Sequence, residues 1–571
     1  MNKKLLTMGL AALLMAGCSS DDVVGGEGDN GGTSAVKGYV GLTITMPTGT
    51  GSRAGSYDDG AADEYKVNDV TLVFSKLEGS THKIVQVTKF TSTDWQKETE
   101  SNDITSASVL PVVPVADAEA KSVLVLVNSS EVFDVVSSTY DATTGNNKVV
   151  TPGSIKLKGA LATYATIEEL EDVKTIAADK LYGTTGGWFM ANASIANEAA
   201  HIDANDPNKQ LVTIEPKTSK EAAMAAAADN VIYVERAVAK VSLTLDGSSL
   251  SSGIFSLGTG FTGDKVKIDG WALDITNKST FPLRRIVSDP AWPSLDRFAP
   301  APTTGRPQRY EWSVDNNYSD YNPATNFNRV DAAEKPCDNP LYCLENTFTI
   351  ANMKQDGTTR AILRGQYVPN GIDQGEVDAN GIFRLGESVK FYSKDDMLAK
   401  VKEAVVASRA VAEGDILSVE VQNPKVGKAD FTCSGTENKI VVTKTDLSTV
   451  DLSGVIDAIK GMLGQLTYYD KGYCYYPVRI RHFADTNTPD NYTEGVKKWE
   501  GEPTYDTDAK WLGRYGVVRN NSYVINVTGV KAPGSPTIPD PTQNIDDEEF
   551  YYIQATVKVL SWTKRSQNVE L

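Results

Sequence analysis

Histidine is almost missing from this chain: His82, His201 and His482 are the only three among 571 residues. Imidazole is the side chain that titrates near neutrality, so general acid–base chemistry has few groups to work with. None of the three sits in an HExxH spacing, and the GxSxG elbow, the phosphate-binding loop and the paired CxxC are missing too. His482 stands in Arg479-Ile480-Arg481-His482-Phe483, an apolar strand beside aromatics, where a structural role is expected. Basic residues are outnumbered, 56 Lys and Arg against 74 Asp and Glu, and the net charge of −18 argues against nucleic acid as a partner. Apolar runs long enough to cross a bilayer are absent. Carboxylates are plentiful, so a glycosidase pair is not excluded by count. The cluster Asp58-Asp59-Gly60 with Asp63 and Glu64 lacks the EF-hand spacing and reads as a solvated loop rather than a calcium site. The expectation is a non-enzyme with no cofactor and no metal.

What is present begins at the N-terminus. Lys3 and Lys4 precede the short apolar run Leu5 to Leu14, and Met15-Ala16-Gly17-Cys18 closes it with small residues before a cysteine. This reads as a signal peptide over 1–17 ending in a bacterial lipobox, with Cys18 acylated, palmitate among the expected chains, and tethered to the outer membrane. Residues 19–34 are mostly Gly, Asp, Asn and Ser with too few apolar side chains to order, a flexible tether. The acidic pair Asp21-Asp22 resembles a surface-export signal of Bacteroidota lipoproteins. With Cys18 so used, Cys337, Cys343, Cys433 and Cys474 remain, an even set with three pairings; Cys337 and Cys343 are nearest, and four buried thiols are the alternative.

Strand patterns dominate the body. Val70 to Phe74, Val123 to Val127, Leu211 to Ile214, Val231 to Leu245, Lys265 to Trp271, Phe348 to Met353, Ile440 to Val442, Tyr475 to Phe483, Tyr523 to Val527 and Tyr552 to Leu560 are short apolar or alternating runs bounded by turn residues. Helical patterns are few: Thr166 to Ile176, a helix capped by Ser393 running to Val406, and a Gly-interrupted stretch from Leu452 to Leu466. The polar break near residues 246–253 predicts one domain over 54–250 and another over 251–571, with 289–336 an irregular excursion.

The two ends carry the strongest patterns. Val36, Gly38, Val40, Leu42, Ile44 and Met46 share one parity, which predicts a continuous amphipathic strand of about eleven residues. It is followed by an exposed loop, residues 47–56, that contains Arg53. At the other end Ile553, Ala555, Val557 and Val559 alternate with polar residues, and the pattern slips at Leu560-Ser561-Trp562 as a bulge makes it. Residues 532–547, with four prolines, predict a linker that lets this end reorient. A removable strand at one end and a detachable strand at the other is what strand donation between subunits requires. Such strands can also simply pair in their own sheet.

The lipobox, the Arg53 loop, Glu235-Arg236-Ala237-Val238-Ala239-Lys240-Val241, Tyr342-Cys343-Leu344-Glu345-Asn346-Thr347, the segment Tyr475 to Phe483, Tyr515-Gly516-Val517-Val518-Arg519-Asn520-Asn521-Ser522-Tyr523 and Lys558-Val559-Leu560-Ser561-Trp562 together resemble the fimbrillins of Bacteroidales, and within them the major subunit of the short, or minor, fimbria. Ser561 stands where family members often carry proline. The resemblance implies a mainly β chain of two β-sandwich domains, transthyretin-like with Greek-key connections, and a few short helices. It implies export as a lipoprotein and cleavage by a trypsin-like, arginine-specific protease between Arg53 and Ala54. The strand bearing Val36, Val40, Leu42, Ile44 and Met46 would then leave with the propeptide 18–53. Its groove would accept a donor strand, Ile553, Ala555, Val557, Val559, Leu560 and Trp562 within about 548–571, from the next copy. The implied product is a homopolymer at the cell surface, with accessory anchor and tip subunits, serving adhesion and biofilm formation. The alternative expectation is a fimbrial tip or anchor component, or a surface glycan-binding lipoprotein with Trp271, Trp292 or Trp312 as a stacking platform.

Overall fold

The computed structural model describes residues 38–45, 64, 66–91, 113–115, 120–141, 148–173, 177–182, 187–194, 210–227, 230–245, 253–286, 310–318, 321–483, 509–546 and 553–561. Cys18, Val36, Met46, Arg53, Ala54, His201, Trp292 and Trp562 lie outside them. The fold is mainly β, with a few helices.

The first sheet follows from apolar runs without alternation. Ser122–Val127 is buried at every position, as expected of a strand covered on both faces. It pairs antiparallel with Asp69–Glu78, which pairs in turn with Thr81–Thr91. On its other side Met190–Asn192 bridges to Val231–Arg236. Val70, Leu72, Phe74, Leu124, Leu126, Phe189 and Val234 meet in one hydrophobic cluster there.

The run Val231 to Leu245, expected as one strand, is two. Val231–Arg236 belongs to the first sheet, and Val238–Leu245 lies in another between Leu341–Leu344 and Asn521–Val530. The chain thus passes from one core into the next at Ala237. Facing that second sheet is one of Ile254–Ser256, Lys265–Asp274, Arg360–Val368 and Tyr473–Arg479. Val241, Tyr523 and Ile525 from one sheet and Ile268, Leu363 and Tyr476 from the other share a single core, the arrangement of a β-sandwich.

A third core was not foreseen. Between the paired strands Arg360–Val368 and Tyr473–Arg479 the chain inserts residues 382–469, where Phe383, Met397, Val401, Phe431, Ile459 and Leu466 form a separate cluster. The helix expected after Ser393 is present as Lys394–Ala407, with the Ser393 hydroxyl accepting from the Asp396 amide at 3.1 Å. Ile456–Leu463 is the helix within the Gly-interrupted stretch, stopped at Gly464. Thr166 caps Ile167–Glu171 in a reciprocal box with Glu169.

Some expectations fail. Phe348 to Met353 is a single 3₁₀ turn, Ile350–Asn352, because Phe348 and Met353 bury their side chains with Trp312 and Trp511 rather than in a ladder. Trp271 and Trp312 are fully buried, so neither is a platform for a sugar. Cys337, Cys343, Cys433 and Cys474 are free thiols, not a Cys337–Cys343 bridge. Cys343 packs in the sandwich core, and burial pushes its thiol up to about 12 and that of Cys337 to about 11, which leaves both as small apolar side chains.

Candidate functional site: the two terminal strands

The N-terminal segment is not the continuous strand that its parity suggests. Gly38–Val40 pairs antiparallel with Val113–Val115, and Thr43–Thr45 pairs parallel with Val231–Tyr233 of the first sheet. The chain changes partner at Gly41-Leu42. Parity is nevertheless kept: Val40, Leu42 and Ile44 are all within 2% of full burial in the first core.

The change of partner has a local cause. The helix Lys220–Ala226, capped by the Ser219 hydroxyl, lies over this crossing. A Cβ at residue 41 would stand 2.2 Å from the Ala223 carbonyl oxygen and 2.9 Å from the Ala227 Cβ, so only glycine passes there. The buried Asn230 donates from its amide to the Gly41 carbonyl at 3.0 Å. Sequence reasoning missed this helix, although Ser219 followed by Lys-Glu-Ala-Ala is a readable cap and helix former.

Immediately downstream of the 46–63 stretch, the body is pinned by charge. Glu64 is buried against Lys240 at 3.0 Å, accepts the Tyr342 hydroxyl, and its carbonyl accepts from Arg236 Nε at 2.8 Å. Glu64 is thereby engaged elsewhere than in any calcium loop. Two more pairs are buried, Glu235 with Arg284 at 2.8 Å and Glu345 with Arg519 at 3.0 Å. Burial alone would raise the Glu345 pKa, but the Arg519 and Arg284 guanidiniums hold it below the ordinary carboxylate value. His482 is buried between the Tyr523 hydroxyl, 2.8 Å from Nδ1, and the Glu311 carbonyl, 2.7 Å from Nε2, a structural placement. His82 is likewise buried, 3.0 Å from Glu168. Among the described residues no group of three His, Cys, Asp or Glu gathers as a metal requires.

At the other end, Ile553–Ser561 is an antiparallel partner of Asn521–Val530 in the same chain and ends that sheet. The register sets Ala555, Val557 and Val559 opposite Val527, Ile525 and Tyr523, which are fully buried. The irregularity falls at Val527/Gly529, opposite the start of the strand, and pairing runs regularly through Leu560 to Ser561; the last residue of the expected slip, Trp562, lies outside the described residues.

The proline-rich stretch is not the loose linker that its composition suggests. The Ser535 and Tyr475 backbones exchange hydrogen bonds at 3.1 and 2.7 Å, Arg360 bonds the Pro539 carbonyl, and the Asp546 amide donates to the Met353 carbonyl at 3.1 Å. Proline supplies carbonyl acceptors without needing donors satisfied, so such a segment can lie along a sheet edge.

Residues 467–568 match the family model described as the C-terminal part of the major fimbrial subunit protein type IV, fimbrillin. No curated protein matches the chain. Among solved structures, a putative cell adhesion protein from Parabacteroides distasonis aligns at TM-score 0.36 and 10% identity, over 94% of this chain and 99% of that one. A fimbrilin from Porphyromonas gingivalis aligns at 0.31 and 14%, over 93% and 98%. A tip fimbrial protein of the same organism, with a C-terminal truncation, aligns at 0.30 and 10%, over 92% and 100%.

Proposed function

Starting from a chain whose residues 467–568 are of fimbrillin type, we propose that it is a structural subunit of a cell-surface fimbria, exported as a lipoprotein, cut after Arg53, and polymerised by strand donation. The two-domain division, the acylation at Cys18 and the occluding and donor roles of the terminal strands belong to this proposal.

One observation carries it. A three-residue strand, Thr43–Thr45, closes the edge of the first sheet, while Val40, Leu42 and Ile44 are buried in its core. Three such side chains contribute roughly 5–9 kcal/mol at about 1.5–3 kcal/mol each. While residue 53 is joined to residue 54, the strand is an intramolecular ligand at high effective concentration. A cut there makes the same strand a dilute ligand that can leave. Departure uncovers the Val231–Tyr233 edge and the apolar floor beside it, a template for another strand. Ile553–Ser561 has the matching parity and a single covalent connection through 547–552.

In this reading the partners are other copies of the chain, accessory anchor and tip subunits, an arginine-specific protease, and the outer membrane through lipid. No chemistry is required of the protein itself. Adhesion and biofilm formation follow from the filament. Trypsin treatment of the purified precursor should convert monomer into filaments visible by electron microscopy, and Arg53→Ala should remain monomeric. Filaments of Arg53→Ala with residues 38–45 still attached on mass spectrometry would sink the switch.

A further inference from the structure

The helix Lys220–Ala226 sits over the crossing point of the N-terminal segment, and its fit depends on the absence of a side chain at residue 41. We propose that this helix is a latch keyed to Gly41: it closes fully only over the chain's own N-terminal strand, and must shift when any other strand fills the groove. The proposal rests on the strand-exchange reading for its second half.

The geometric argument does not depend on the donor's register. To occupy both halves of the groove, a strand must pair along Val113–Val115 and along Val231–Tyr233. It therefore crosses where Gly41 crosses now. Residues 553–561 read Ile-Gln-Ala-Thr-Val-Lys-Val-Leu-Ser and contain no glycine. Whichever residue falls at the crossing brings a Cβ, and that Cβ meets backbone rather than a flexible side-chain tip: the Ala223 oxygen at 2.2 Å and its carbonyl carbon at 2.9 Å. Ordinary contact begins near 3.4 Å, so the helix or the strand must move by about 1 Å.

The helix is the element free to yield. It has seven residues, and Ala223 and the following Ala227 are buried on the strand side, whereas Glu221, Ala222, Met224 and Ala225 are exposed. A helix this short holds little structure by itself and depends on its seat. Asn230, whose side-chain amide reaches the Gly41 carbonyl at 3.0 Å, adds the polar half of the latch. The device favours the chain's own strand before cleavage and marks a foreign strand after it. The same steric key identifies Gly41 as the residue that tells the two apart.

Hydrogen exchange of the Ala223 and Ala227 amides, which donate to the Ser219 and Met224 carbonyls, reads the latch directly. In the uncleaved chain, Gly41→Ala should speed exchange at these two amides by at least about tenfold while Val123–Val127 stays protected, since local opening is decoupled from the core. Asn230→Ala should act in the same direction. Unchanged exchange in Gly41→Ala overturns the latch, whether or not strand donation occurs.

The chain cleaved after Arg53 then tests discrimination. A peptide of residues 36–46 should restore slow exchange, and a peptide of residues 551–562 should bind yet leave Ala223 and Ala227 fast. Placing glycine at 554, 556 or 558 of that peptide in turn should restore protection at one position. Equal protection by both native peptides overturns the keyed fit. A 551–562 peptide that fails to bind removes the donor role of that segment and leaves the Gly41→Ala result to decide the latch.

Discussion

Leu42→Ala is the perturbation that best isolates the N-terminal strand. Leu42 is fully buried in the first core at the point where the segment passes between sheets, with Val40 and Ile44 as its only apolar companions within the described segment. Truncating a buried leucine costs about 2–5 kcal/mol, the lost transfer energy plus the cavity left behind. Against the roughly 5–9 kcal/mol assigned to the three side chains, that is at least about a fifth of what seats the strand. At about 1.4 kcal/mol per decade, the open population should rise some 30-fold to several thousand-fold. Native-state hydrogen exchange on the uncleaved chain is the assay. Amides of 43–45 and the Val231–Tyr233 edge should lose protection, with Val70–Phe74 and Val123–Val127 unchanged. If all of these segments lose protection by the same factor, the strand opens only with global unfolding, and the reasoning that treats it as a separately releasable plug is refuted.

Cys18→Ala should release the precursor from the membrane; continued incorporation of labelled fatty acid would end the lipobox assignment. Val557→Asp should stop polymerisation, because an unpaired charge in a dry groove costs several kcal/mol, while Lys558→Asp should be tolerated. Unfolding of the Val557→Asp monomer by circular dichroism would assign the strand permanently to its own sheet. Asp315 is buried, which raises its pKa from 3.8 to about 7 despite hydrogen bonds from Asn277, Thr347 and Asn317. A carboxyl raised on folding contributes stability that is complete below its ordinary value and lost as pH climbs to the folded one. Denaturant midpoints should therefore fall between about pH 4 and pH 7 in the native chain and fall less in Asp315→Asn.

Strand patterns were legible wherever one chemistry decided the outcome. Ser122–Val127 and Lys265–Asp274 stand where apolar runs placed them, since burial of a strand needs no partner to be named. The Ser393 cap announced its helix because its hydrogen bond is local. Parity at Val40, Leu42 and Ile44 was legible for the same reason, but the break at Gly41 was not. That break comes from a helix some 180 residues away, and a glycine in a strand pattern does not say what approaches it. The division of Val231 to Leu245 at Ala237 was hidden likewise, both halves being equally apolar. Within the expected linker 532–547, residues 532–546 misled through composition: prolines that suggest a free linker also suit a segment bonded along an edge. The motifs that carry the family likeness proved to hold interior polar groups, Glu235, Glu345, His482 and Arg519 among them, each buried against a partner rather than exposed.

The central claim is that the edge vacated by residues 38–45 is filled by another copy of the chain. A filament structure determined by electron cryomicroscopy after cleavage at Arg53 tests it most directly, at the single place where Val231–Tyr233 now pairs with Thr43–Thr45. The account predicts density there for residues 553–561 of a neighbouring subunit, connected to it through 547–552, with residues 38–45 gone. Filaments in which Thr43–Thr45 of the same chain still holds that edge would contradict it.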